Sequence, residues 1–243
     1  MKHPKLRDSK RLVTNELYEL GRVPKDVIKK IGGHFVYLLH TGRTDISGDD
    51  WADTFAQAVG GTHFASPVGI ADVAVGKMAW SMKTVKNAHV FQCKNVRLIS
   101  GRCSPDYSYG IQDPHANIAR TGQAVLAVWN ERINIAYDEY NPVRVNVLIR
   151  SNDMTEFVMF EEYIERYKTI DYEWRENENG NLIGVHKTTG RTCFTWQPHG
   201  SQFTIHSVVP ADAIRFKVKM PPIINQEIAL TNIGFDDSWV EIL

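Results

Sequence analysis

The sequence predicts an α/β (α+β) chain, with a central mixed β-sheet flanked by helices in a single domain. Three observations predict it. Helical spacing and helix stop signals dominate the start. The middle alternates strand-like runs with one long helical stretch. Four short strand-like runs follow from about residue 180. Neither an internal repeat nor a low-complexity linker interrupts the 243 residues, and that length suits one domain.

The elements follow in chain order. Ser9 can cap a short helix to about Leu20, stopped by Gly21. Pro24 opens a second helix that ends at Gly32-Gly33. His34 to Leu39 is apolar and aromatic, and suits a buried strand or a helix extension. Ser47-Gly48-Asp49-Asp50 reads as a helix start and Gly60-Gly61 as its end. Trp51, Phe55, Ala58 and Val59 recur between them at helical spacing. Val68–Val75, Met78–Thr84, Ala88–Cys93 and Val96–Ile99 read as strands. Ser100 to Asp113 reads as a long loop, and His115 to about Ala136 as the longest helix. Val143–Arg150, Glu156–Phe160, Leu182–His186, Thr192–Gln197, Gln202–Val208 and Ile214–Val218 complete the strand-like runs.

Composition bounds the class. The chain is 43% hydrophobic, enough for a sizeable core and too much for disorder. No apolar run approaches the roughly 20 residues of a membrane span, and no signal-peptide core follows the charged start. Cys93, Cys103 and Cys193 are odd in number and widely spaced, which fits neither a disulfide framework nor a zinc knuckle. A reducing cytoplasm is the expected compartment, with no membrane partner.

There are 28 basic and 28 acidic residues, so the formal net charge is zero. Taken alone, that balance argues against a nucleic-acid binder. The distribution is uneven, however. Residues 1–45 carry 10 Lys/Arg against 5 Asp/Glu, and residues 76–120 carry 7 against 2. Residues 121–180 carry 6 against 12. Attraction to a polyanion follows the local field, because screening acts within about 8–10 Å.

The chemistry concentrates in Gly69-Ile70-Ala71-Asp72-Val73-Ala74-Val75-Gly76-Lys77-Met78-Ala79-Trp80-Ser81-Met82-Lys83. Gly76-Lys77 suits a two-residue hairpin turn with Gly at its first central position. That register pairs Val75 with Met78, Ala74 with Ala79, Asp72 with Ser81 and Ile70 with Lys83. Side chains alternate, so Asp72, Ser81 and Lys83 share one face. The other face, with Val73, Val75, Trp80 and Met82, is apolar and suits a core. An acid and a lysine within an apolar hairpin are costly to bury singly. A carboxylate that holds a divalent ion, beside a lysine that orients a water, accounts for the pair. That constellation serves metal-assisted phosphodiester hydrolysis. Hard oxygen ligands favour Mg²⁺, with Mn²⁺ as a substitute. A surface hairpin with an ordinary Asp72–Lys83 salt bridge is the plainer alternative.

At these residues the chain resembles the PD-(D/E)xK nuclease superfamily, and among its members the type II restriction endonucleases. The pattern there is an Asp at the start of one strand, a hairpin, then an acid-x-Lys on the next strand. Asp72 matches the first acid and Lys83 the catalytic lysine. The chain departs from the pattern at Ala71, where Pro is usual, and at Ser81, which occupies the second-acid position. Some restriction enzymes of the superfamily also have Ser there and recruit a carboxylate from a neighbouring helix. The resemblance covers roughly residues 47–150: helix, hairpin, helix, strand. It implies a restriction-endonuclease-like fold whose catalytic core spans 47–150, with a strand-rich DNA-recognition part at 180–220.

If Ser81 is not a ligand, another acid must help Asp72. The family's helix before the hairpin offers Asp53 and Asp50, with Asp49 beside them; the later helix offers Glu131. The ordinary readings are helix N-terminal acids for Asp49 and Asp50, and a solvated helix surface for Glu131. Lys86, Lys94, Arg97 and Arg102 suit contacts to DNA phosphates. The turn Thr195-Trp196-Gln197-Pro198-His199-Gly200-Ser201-Gln202 offers base-reading side chains in Gln197, His199, Ser201 and Gln202, and Arg191 precedes it. An ordinary hairpin connection with a packed Trp196 is the alternative there.

The nine His form no metal-spaced pair, and no phosphate-binding Gly-rich loop or Gly-x-Ser-x-Gly elbow occurs. The run Glu161-Glu162-Tyr163-Ile164-Glu165 reads as a solvated helix face. The expected activity is a Mg²⁺-dependent type II restriction endonuclease acting on double-stranded DNA as a homodimer. The alternatives are a non-catalytic DNA-binding protein on a decayed nuclease scaffold, and a repair or recombination nuclease without sequence specificity.

Overall fold

A computed structural model describes residues 16–64 and 70–243. Their order is α1 (Lys25–His40), α2 (Gly48–Val59), β1 (Thr62–His63), β2 (Val73–Val75), β3 (Met78–Lys86), β4 (Asn95–Arg102), α3 (Pro105–Tyr109) and α4 (Ile118–Glu139). Then come β5 (Val143–Arg150), β6 (Glu156–Tyr163), β7 (Tyr172–Glu176), β8 (Leu182–His186), β9 (Thr192–Gln197), β10 (Gln202–Val208), β11 (Ile214–Lys217) and α5 (Gln226–Asn232). The mixed α and β class matches the expectation. The described residues form two sheets, however, where one was expected. The first runs β1-β2-β3-β5-β6-β11 and is mixed, because β3 and β5 are parallel. The second runs β4-β10-β9-β8-β7. Strands β7 to β10 therefore build their own sheet and take β4 into it, while β11 returns to the edge of the first sheet beside β6.

Local chemistry explains most of the elements. Ser47 and Asp50 close a capping box at the start of α2, and Gly60 ends it in the left-handed conformation at φ 71°. α1 runs through Gly32-Gly33 instead of ending there. Two mid-helix glycines cost about 1 kcal/mol each relative to alanine. Burial of Ile31, Phe35 and Leu39 on one face outweighs that cost. Phe35 stacks on Phe157 at a centroid distance of 4.6 Å. His34–Leu39 is thus a helix extension. Of the helix expected from Ser9 to Leu20, residues 1–15 lie outside the described residues, and Glu16–Leu20 is not helical. Val68 and Gly69 of the expected hairpin strand also lie outside.

Three further expectations are corrected. Ala88–Cys93 is not a strand: the Asn87 Oδ1 accepts from His89 N at 2.7 Å, and a 3-10 turn over Val90–Gln92 follows. The stretch 100–113 is not all loop, since β4 extends to Arg102 and Pro105 opens the short α3. The run 161–165 is not a helix face, because β6 extends through Glu161, Glu162 and Tyr163.

One face of the first sheet packs under α1 and α2 through Val73, Trp80, Met82, Leu148 and Phe157. The other face is covered by β4, through Val96 and Leu98 against Val147 and Ile149, and by α4 beside it. The α1/α2 side contains a buried ionic cluster. Glu161 accepts from Tyr18 Oη (2.8 Å), Trp80 Nε1 (2.8 Å), Asn146 Nδ2 (3.1 Å) and Arg144 Nη1 (3.0 Å). The Arg144 and Glu161 side chains are both fully buried. Burial raises the Glu161 carboxyl pKa, and Tyr18, Arg144 and Trp80 oppose that rise. The cluster pins Trp80 from behind, and Trp80 is the residue before Ser81.

Candidate active site

The hairpin forms in the expected register at its tip: Val75 pairs with Met78, Ala74 with Ala79 and Val73 with Trp80. Beyond Val73 the ladder departs from the simple pattern, because Asp72 N donates to Trp80 O at 2.8 Å. Ile70 does not pair with Lys83; it packs into the apolar cluster under α4. The side chains still converge. Asp72 Oδ2 accepts from Met82 N at 2.6 Å and from Ser81 Oγ at 3.3 Å. Lys83 Nζ lies 3.9 Å from the same oxygen. Both charged side chains stay partly open, with 22% exposure for Lys83 and 23% for Asp72. Burial lowers the Lys83 pKa, Asp72 opposes this, and the positive charge of Arg132 adds to the lowering.

Arg132, on α4, escaped the sequence reading. It donates from Nη1 to Arg102 O at 3.1 Å. Its guanidinium lies against Gly101, in the space that a Cβ there would fill, and Gly101 has φ +103°. Arg132 is thus a second cation acting on Lys83, on the side of the sheet where Asp72 and Glu162 supply acidic groups. The helical spacing held a signal for Arg132: it lies i+3 from the buried Trp129 and i−4 from the buried Ala136. Glu131, one position earlier, turns to Asn134 Nδ2 at 3.0 Å on the exposed surface.

A cavity of about 50 Å³ adjoins the hairpin, lined by Ser81, Lys83, Ser100, Trp129 and Glu162 among others. The Trp129 Nε1 is buried with no partner among the described residues. Glu162, also missed, stands in register with Ser81 through Val145. Burial raises its pKa, while Ser207 Oγ donates to it at 2.9 Å. Its signal was the strand alternation of β6, had that strand been extended past Phe160.

The other expected metal acids are not brought to Asp72. Asp50 is held by the capping box and by Arg43 at 2.7 Å. Asp53 pairs with His63 at 2.7 Å. α2, which carries both, packs on the Val73–Trp80–Met82 face, opposite Asp72. Among the described residues no group of three His, Cys, Asp or Glu is placed to hold a metal ion.

The expected DNA contacts separate into groups. Lys86 pairs with Asp45 at 3.2 Å, and alternation along β3 puts it on the face away from Lys83. Lys94 and Arg97 are exposed at the start of β4, with Arg97 facing away from the cavity that Leu98 lines. Arg191 lies at the other end of β9 and acts electrostatically on Glu162 and His206. Arg102, Gln202 and Gln197 stand in adjacent registers at one end of the second sheet. His199 and Ser201 lie in the connection between β9 and β10, and Ser201 O accepts from Cys103 N at 2.8 Å. Trp196 is buried and donates from Nε1 to Cys103 O at 2.8 Å. Arg132, through Arg102 O, links this end of the second sheet to Lys83.

Gly101→Ala tests that link. The strained φ costs about 1–3 kcal/mol, and the new Cβ displaces the guanidinium. A lower melting temperature and a slower reaction are expected with Lys83 intact; unchanged values in both would show that Arg132 has no such role.

No helix of the described residues is long and apolar enough to cross a membrane. No family model, curated protein or solved structure matches this chain.

Proposed function

We propose that the protein is a Mg²⁺-dependent endonuclease that hydrolyses phosphodiester bonds of double-stranded DNA at a specific site, in the manner of type II restriction enzymes. The observation that carries this reading is the convergence of Asp72 and Lys83 on one face of a hairpin whose other face is core. Arg132 supports it as a second cation acting on Lys83.

The donor set suits Mg²⁺ of the loosely held kind, which keeps most of its waters and takes one or two carboxylates plus substrate phosphate oxygens. Asp72 would hold it, since Met82 N, Ser81 Oγ and Lys83 crowd Oδ2 and no hydrogen bond is made by Oδ1 among the described residues. Asp50, Asp53 and Glu131 are not placed to assist. Bound there, the ion would polarise a phosphoryl oxygen and acidify a nearby water. Lys83, in its charged form, orients the attacking water and stabilises the charge that develops at phosphorus. Arg132 draws the phosphate towards Lys83. Ser81, where the resemblance expects an acid, orients the Asp72 carboxylate through its hydroxyl. Arg102, Gln197, His199, Ser201 and Gln202 form the edge that meets the duplex, with the two glutamines suited to adenine. Lys94, Arg97 and Arg191 suit phosphates flanking the site.

The test is digestion of supercoiled plasmid with Mg²⁺ or Mn²⁺, against a chelator control. Discrete fragments are expected. A smear would favour the non-specific nuclease, and binding without cutting would favour the decayed scaffold.

A further inference from the structure

The segment Met220–Leu243 makes few contacts with the rest of the chain. Its root is tied to the end of α1: Ile224 N donates to His40 O at 2.8 Å, and Ile223 meets Gly42. Beyond that root, no residue of α5 or of the 3-10 turn Asp237–Trp239 is buried. Ile228, Ile233 and Trp239 are each more than half exposed. A seven-residue helix is too short to be stable in water by itself. A contiguous apolar arm of this kind marks a contact surface.

The charges indicate what the arm meets. Residues 220–243 contain Glu227, Asp236, Asp237 and Glu241 and no Lys or Arg, a net of −4. The exposed side of α1 and its approach carry Arg22, Lys25, Lys29 and Lys30 against Asp26, a net of +3. None of these residues makes an ion pair among the described residues. The acidic apolar arm and the basic helix face are thus complementary, yet each stands exposed in a single chain. We propose that the arm docks on α1 of a second copy, reciprocally, in a two-fold dimer.

Two-fold symmetry uses both surfaces twice and leaves no open end. α1 packs on the sheet face away from Asp72, so pairing there leaves both clefts free. The proposal rests on the duplex-cleaving reading only for its need of two active sites; the surfaces themselves are independent of it.

The test is light scattering coupled to gel filtration on the full chain without DNA, over a concentration series. Wild type is expected at the mass of two chains. Ile228→Asp with Trp239→Asp is expected at the mass of one. Lys29→Glu with Lys30→Glu is expected to be monomeric alone, and so is Asp236→Lys with Asp237→Lys. Mixing those two charge variants is expected to restore a dimer, because each arm then meets an opposite charge. All substituted side chains are exposed, and circular dichroism confirms that the variants fold. A monomeric wild type, an intact dimer in the apolar variant, or no recovery on mixing would overturn the proposal. None of these results bears on plasmid cleavage, so the dimer and the hydrolytic reading can fail separately.

Discussion

Arg144→Met lowers the stability of the protein by about 3–5 kcal/mol, the typical result of breaking a buried ion pair by removing one partner. Arg144 is fully buried and serves Glu161 at 3.0 Å, Glu16 at 3.3 Å and Tyr18 O at 2.9 Å. Without it Glu161 keeps three neutral donors but loses its countercharge. The double variant Arg144→Met with Glu161→Leu recovers part of the loss, because no fully buried charge is left without a partner. Tyr18, Trp80 and Asn146 lose their acceptor in it, while Glu16 keeps access to solvent. Urea midpoints at unchanged slope measure both. Equal loss in the single and double variants would show that packing, not charge, dominates there. The consequence reaches the site through Trp80, which Glu161 and Phe55 hold in place behind Ser81.

Replacing Lys83 by Ala slows DNA cleavage by about a hundredfold to a thousandfold, as removal of one preorganised charge at a transition state does. The pH profile is the sharper readout. Burial lowers the Lys83 pKa from the ordinary lysine value of 10.5. The charged form is complete below the folded pKa and is lost as pH rises through it. Cleavage therefore declines on the alkaline side earlier than an ordinary lysine would cause. Lys83→Arg keeps the charge at every accessible pH. Its residual activity is expected to lack that alkaline limb. The same limb in Lys83→Arg would assign the titration to another group.

Much of the site was legible because side chains alternate along β3, even though the ladder shifts beyond Val73. Gly76-Lys77 set the register, and period two put Asp72, Ser81 and Lys83 on one face with Trp80 and Met82 behind. The capping box at Ser47 and the stop at Gly60 were equally readable, since both are local chemistry. What was not legible depends on distant partners. Gly32-Gly33 looks like a helix end until Phe35 is seen stacked on Phe157. Glu161 looks like a solvated acid until Arg144, Tyr18, Trp80 and Asn146 surround it. Asp50 and Asp53 stand on the helix the resemblance suggested, but that helix packs on the opposite sheet face. Arg132 gains its place only because Gly101, far away in sequence, leaves room for it. The second sheet was missed as a unit because β4 joins β10 across a long stretch of chain.

The central claim is that Asp72 and Lys83 form a hydrolytic site for DNA. Asp72→Asn tests it most directly, because the amide oxygen can still accept from Met82 N while the negative charge is gone. Cleavage of supercoiled plasmid with Mg²⁺ and retention of DNA by mobility shift are measured side by side. The account predicts that wild type cuts at discrete positions, and that Asp72→Asn binds as well but cuts about a thousandfold more slowly. Cleavage by Asp72→Asn at the wild-type rate, or no cleavage by wild type with any divalent ion, would contradict it.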